Sequence, residues 1–159
     1  MKAKVKLGLK MLFAVCFIGV FSSCSSDDGG GGDINIPGYE LKSYKYTITV
    51  NGAIDDMDSF SFIVAGGGEN VGDTSLWKVN GQVRTGETRL ALTDDDFRGA
   101  TKTYVVESTQ ALRVAPCGIT VVNTEQPFSF SFKAEVDGET KLDESFTIED
   151  ESFLRDYNF

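Results

Sequence analysis

The chain has 159 residues, 41% of them apolar and 11% aromatic, which is enough for a folded core and suits one domain better than two. All 24 acidic residues lie behind an N-terminal segment that holds four of the 15 lysines and arginines (Lys2, Lys4, Lys6, Lys10). Without that segment the net charge is −13, which argues against phosphate backbones and so against nucleic-acid partners. There is no histidine, which excludes Ser-His-Asp and Cys-His catalysis, His-ligated zinc and proximal-His haem.

The four lysines precede an apolar run, Met11 to Phe21, and small residues follow at Ser22 and Ser23. Positive, then apolar, then small is the order of a secretory signal. The run is too short to span a bilayer core of about 30 Å, which takes roughly 20 helical residues. Phe21-Ser22-Ser23-Cys24 resembles the lipobox of bacterial lipoproteins. It matches at the two small positions and the cysteine and departs at Phe21, where Leu is usual. The resemblance implies cleavage before Cys24, acylation of that cysteine, and a domain held to a membrane, with the outer membrane expected. Cys16 lies inside the apolar run behind the larger Val15 and is not the expected site. An ordinary secreted protein cleaved beside a cysteine is the competing reading.

Ser25-Ser26-Asp27-Asp28 and then Gly29 to Gly32 follow. The glycines read as a flexible tether. Acidic residues right behind a lipidated cysteine look like the surface-export signals of Bacteroidota lipoproteins, which implies an outward-facing domain; a plain solvated linker is the alternative. The expected organisation is a signal over 1–23, a lipidated cysteine and tether over 24–38, and a folded domain over 39–159.

From Tyr39 onward the period is two. Tyr44, Tyr46, Ile48 and Val50 alternate with polar residues up to the turn at Asn51-Gly52, and Phe60, Phe62 and Val64 alternate up to Gly66-Gly67-Gly68. Leu76 to Val79 and Gln82 to Arg84 flank Asn80-Gly81, a two-residue hairpin signal. Leu90 and Leu92 mark a short strand, Asp94 to Arg98 a single helical turn, Tyr104 to Val114 one long or two broken strands, and Ile119 to Val122 the next. Phe128, Phe130, Phe132, Ala134 and Val136 alternate up to Asp137-Gly138, with Leu142, Phe146 and Ile148 on the return strand. Asp150 to Tyr157 is read as a second short helix, with Phe153, Leu154 and Tyr157 on one face.

About seven to nine short strands with regular turns predict a single antiparallel β-sandwich, immunoglobulin-like or similar. A closed β-barrel is the alternative. Tyr157-Asn158-Phe159 resembles the aromatic-ended terminus of outer-membrane barrels, but these strands are short for the roughly 9–11 residues a membrane strand needs.

Few residues suggest chemistry. Cys117, in Pro116-Cys117-Gly118, lacks a nearby base and reads as a small turn or buried cysteine. Asp55, Asp56 and Asp58 form one acidic cluster, and Asp94, Asp95 and Asp96 another. Crowded carboxylates in a loop are what calcium takes, yet neither follows the twelve-residue calcium loop. They are weak metal candidates; turn formation and helix capping are the expected roles. Gly66 to Gly68 with Gly72 fails the phosphate-loop spacing.

No metal and no cofactor beyond the covalent lipid on Cys24 are expected, and the protein is not expected to be an enzyme. The functional expectation is a membrane-anchored, non-catalytic binding or adhesion module for an envelope protein or a glycan, with Gly66–Thr74 and Asp94–Lys102 as recognition loops. An accessory subunit of an envelope or fimbria-like complex is the alternative, and a small hydrolase ranks third.

Overall fold

Alternating apolar and polar residues generate two stacked antiparallel sheets, seen in a computed structural model that describes residues 40–159 except 53, 99–101 and 125. The segments expected as signal and tether, with Cys24 and Tyr39, lie outside the described residues. β1 (Tyr44–Asn51), β2 (Ser59–Ala65), β3 (Trp77–Val79), β4 (Gln82–Val83) and β5 (Arg89–Leu92) precede the single helical turn α1 (Asp94–Arg98). Then follow β6 (Thr103–Ser108), β7 (Cys117–Val122), β8 (Phe128–Val136), β9 (Glu139–Ile148) and β10 (Ser152–Tyr157). The larger sheet has the order β4-β3-β6-β1-β8-β9 and the smaller β10-β7-β2-β5. The two sheets are separate and open, so the fold is the sandwich and not the closed barrel.

The core lies between the inner faces. β8 turns Phe128, Phe130, Phe132, Ala134 and Val136 inward, one at every second position, and β1 does the same with Tyr44, Tyr46, Ile48 and Val50. Phe130 meets Phe60 edge-on at 5.3 Å, and its other neighbours are Phe146 at 4.9 Å and Phe153 at 5.3 Å. Burying each such ring contributes roughly 1.5–3 kcal/mol. The hairpin signal is realised: Asn80 and Gly81 have φ of 48° and 81°, the left-handed pair that a type I′ turn between β3 and β4 requires.

Three expectations are corrected. There are ten strands, one more than the upper end of the seven to nine expected, because β10 adds to them. Asp150 to Tyr157 is not helical; β10 pairs with β7 from Ser152↔Val122 to Tyr157↔Cys117. Phe153 and Tyr157 pack against the core while Leu154 points to solvent, 70% exposed, so these three residues share no face. An eight-residue helix would be marginal alone, and a free strand edge supplies more hydrogen bonds. Third, the Tyr104–Val114 stretch is one strand, β6, followed by irregular chain joined through single bridges, Lys42↔Leu112 and Gly67↔Val114.

The flank between β9 and β10 is closed by a polar latch. Arg155 pairs with Glu144 at 3.2 Å and lies over the rings of Phe146 and Phe153, 5.0 and 5.2 Å from their centroids. Beside it the C-terminal rings of Tyr157 and Phe159 stack, and Phe159 packs on Tyr46. These terminal aromatics belong to the sandwich interior, unlike the terminus of a membrane barrel.

Candidate functional site

The sandwich has two poles. At the first, the chain comes in through Lys42, which pairs with Leu112, and Ser43, whose amide donates to Asp137 Oδ1 at 2.8 Å. The Gly66–Thr74 loop lies at this same pole, because Gly67 bridges to Val114, two residues along from Leu112. Asp73 organises that loop. Its Oδ2 accepts from the Asn70 amide at 3.0 Å and from Gln110 Nε2 at 3.0 Å. Gly68 lies directly against this carboxylate, so any Cβ there would collide with it. The Arg113 amide donates to Gly67 O at 2.8 Å, and its guanidinium reaches Glu69 O at 3.4 Å. An open pocket of about 450 Å³ results, walled by this loop, Thr88 and Arg113.

The Asn70 amide holds the Asp73 carboxyl below the ordinary carboxylate value of 3.8. A depressed folded pKa means that this brace is complete above about pH 3.8 and is lost as pH falls through the lower folded value. In an NMR titration the Asn70 amide shift should therefore move with a midpoint below 3.8. A midpoint at or above that value would show that the carboxylate does not hold the loop.

The second pole gathers both acidic clusters. In the β1–β2 turn, Asp55 Oδ1 accepts from the Met57 and Asp58 amides at 2.9 and 3.2 Å, the local turn chemistry expected of it. Asp58 has a different task. It is 3% exposed and accepts from the Thr124 amide at 3.0 Å and from Asn123 Nδ2 at 3.4 Å. Asn123, 2% exposed, in turn accepts from the Asp150 amide at 2.9 Å. These two side chains tie the turns after β1, β7 and β9 into one base, and Asp58 is a structural residue.

Above that base sits α1. Asp96 Oδ2 accepts from the Thr93 amide at 2.8 Å, the return half of a capping box, so the cap is made by Asp96 reaching back. Phe97 anchors the turn on Phe60 at 4.7 Å and Tyr104 at 5.1 Å, and Tyr104 donates to Asp96 O at 2.9 Å.

Arg98 brings the clusters together. Its Nη2 lies 3.4 Å from Asp94 Oδ2 and donates to Asp55 O at 3.0 Å. Its Nη1 lies 3.7 Å from Asp56 Oδ1 and 3.8 Å from Asp95 Oδ1. Lys102 Nζ caps Gly52 O nearby. Carboxylates far apart in sequence thus share one guanidinium. Among the described residues no group of three or more carboxylates and thiols is arranged to hold a metal ion. Arg98 already occupies the position between the clusters that a cation would take. Millimolar calcium added to chelator-treated protein should accordingly leave the melting temperature nearly unchanged; a rise of several degrees, abolished by Asp95→Asn, would contradict this.

Cys117 is the first residue of β7 and points into the core. Burial pushes its thiol up to about 12, so it stays protonated and unreactive at neutral pH. Its neighbour Tyr46 donates its hydroxyl to Ala115 O at 2.6 Å.

The two recognition loops expected from the sequence therefore lie at opposite poles. Sequence reasoning missed Arg98 as the organiser of the two acidic clusters, and Asp58 and Asn123 as buried ties; only the Thr93-x-x-Asp96 spacing was a readable signal.

No protein-family model matches the chain, and no curated protein does. Among solved structures it is similar to a DUF4425 family protein from Bacteroides ovatus, with TM-score 0.53 and 12% identity over 76% of this chain and 95% of that one. It is also similar to a domain of unknown function, DUF4425, from Bacteroides vulgatus, with TM-score 0.52 and 10% identity over 75% and 94%. The calcium-bound form of a protein from Parabacteroides distasonis aligns with TM-score 0.48 and 18% identity over 78% and 99%. At these identities the first two likenesses show the fold alone.

Proposed function

We propose that the protein is an envelope lipoprotein, acylated at Cys24 and held to the outer membrane, whose sandwich is a non-catalytic binding module that meets its partner with the Asp55–Asp58 and Asp94–Arg98 pole. One observation carries this reading. The chain comes into the sandwich at Lys42 and Ser43, and the two acidic loops converge on Arg98 at the other end. Residues 24–38 reach about 50 Å at most when extended, enough to clear the headgroups. Recognition on loops held by a rigid sheet is the usual division of labour, and α1 is pinned by Phe97 from below.

The chemistry of this pole selects the partner. Arg98 pairs with the carboxylates of Asp56, Asp94 and Asp95, and Asp55 and Asp96 lie in the same two loops, so the pole is net acidic and the complementary ligand carries positive charge, as a basic protein surface or an amine-bearing glycan does. The absence of histidine and the buried, protonated Cys117 support a non-catalytic role.

Affinity recovery of the tagged full-length protein from its own membranes tests this. Asp56 and Asp95 are the residues to change, because their side chains are 99% and 89% exposed and their surface ion pairs contribute little to stability. A partner retained by wild type, weakened by salt and lost from Asp56→Asn/Asp95→Asn with an unchanged melting temperature is expected. Equal recovery by wild type and variant would reject the acidic pole as the binding site.

A further inference from the structure

The two outer sheet faces differ sharply in charge. On the larger sheet, Lys78, Glu107, Lys45 and Glu135 form one row across β3, β6, β1 and β8, with ion pairs of 3.6 Å (Lys78–Glu107) and 4.0 Å (Lys45–Glu135), a solvated ladder. On the smaller sheet the outward residues are Ser152, Leu154 and Asp156 of β10, Gly118, Thr120 and Val122 of β7, Ser59, Ser61, Ile63 and Ala65 of β2, and Arg89 and Ala91 of β5. This face carries two charges of opposite sign, on opposite edge strands. Among the described residues neither Arg89 nor Asp156 forms an ion pair. Leu154, 70% exposed, and Val122, 36% exposed, stand on the same face. A groove of about 440 Å³ runs over Gly118, bordered by Ile63, Ala65, Thr120 and Asp156.

We propose that this face docks a second copy of the same chain. For a chain whose net charge is −13 without its lysine-bearing N-terminal segment, like-charge repulsion disfavours self-contact nearly everywhere else. Here the net charge is zero and its two members are self-complementary. A two-fold axis lying between the copies and running along the strands, between β7 and β2, exchanges the sheet edges. Gly118 and Ile63 are register partners, so the axis sets Ile63 of each copy over Gly118 of the other, a knob into the groove. Asp156 shares that row and meets Ala91 of the second copy. Arg89 of that copy lies two residues further on, about 7 Å, within reach of its long side chain. By symmetry this ion pair forms twice.

Four strands about 4.8 Å apart make a face on the order of 300 Å² in plan. That is below the roughly 800 Å² per partner of stable complexes, so the association is of the transient class and needs covalent trapping. The proposal is independent of the partner assigned to the acidic pole.

The test is cysteine crosslinking of the full-length protein on intact cells with a short bis-maleimide. Thr120→Cys, beside the axis, should give a dimer of twice the chain mass; Thr49→Cys on the opposite sheet and wild type should give none. Asp156→Arg introduced into Thr120→Cys should reduce that dimer at least tenfold, and adding Arg89→Asp should restore it. Melting temperatures of the variants verify folding, and the restored double swap excludes simple misfolding. No dimer from Thr120→Cys, an equal yield from Thr49→Cys, indifference to Asp156→Arg, or an adduct with a different protein would each overturn the proposal.

Discussion

Cys24→Ala should release the protein from the membrane fraction, whereas Cys16→Ala should change nothing. The step is all-or-none in physical terms. Each buried acyl methylene contributes about 0.8 kcal/mol, so one chain holds only reversibly and two or more hold durably. The run from Met11 to Phe21 is too short to span, and no described helix is long and apolar enough to cross a membrane. Fractionation, with mass spectrometry of the N-terminal peptide, decides the matter. An unmodified Cys24 peptide from wild-type membranes would contradict lipidation.

Phe130→Ala should cost about 3–5 kcal/mol of folding stability, the range for truncating a buried ring. Phe130 is 1% exposed, and its ring touches Phe60, Phe146 and Phe153, drawn from β2, β9 and β10. The cavity would therefore open where both sheets meet, with three rings too large to collapse into it. On a domain of this size the loss corresponds to a fall of about 10 °C or more in melting temperature. Ser131→Ala, one residue along β8 on the outer face, should change little, since its row holds Thr49 and Ser145 and no packed core. Equal denaturant midpoints for the two variants would contradict the inward register of β8.

That register was legible because β8 alternates without a fault for nine residues. A one-residue slip would bury Ser129, Ser131 and Lys133 and expose three phenylalanines. The Asn80-Gly81 turn was legible for an equally local reason, the left-handed backbone that both residues adopt. β10 was not. Phe153, Leu154 and Tyr157 fit a helical face as well as a strand, and what decides between them is the free edge of β7, which is remote in sequence. The candidate site failed in the same way. Each aspartate cluster was visible by itself, and the capping spacing from Thr93 to Asp96 can be read directly. Their convergence depends on where β2 and β5 pair, because that pairing places the β1–β2 turn beside α1 and within reach of Arg98. Asp58 looked like its less buried neighbours Asp55 and Asp56; its burial follows from the Asn123 and Asp150 contacts, which join turns far apart in the chain. Local chemistry is written locally, and the meeting of loops belongs to topology.

The most direct measurement of the central claim is position-resolved photocrosslinking on living cells, with a photoreactive residue placed at Asp95, Val71 or Thr49 of the full-length protein. These mark the acidic pole, the pole where the chain comes in, and the outer face of the larger sheet. A discrete adduct from Asp95, competed by salt and absent from Val71 and Thr49, is the expected result. An adduct from Val71 with none from Asp95 would move recognition to the Gly66–Thr74 pocket and contradict the account.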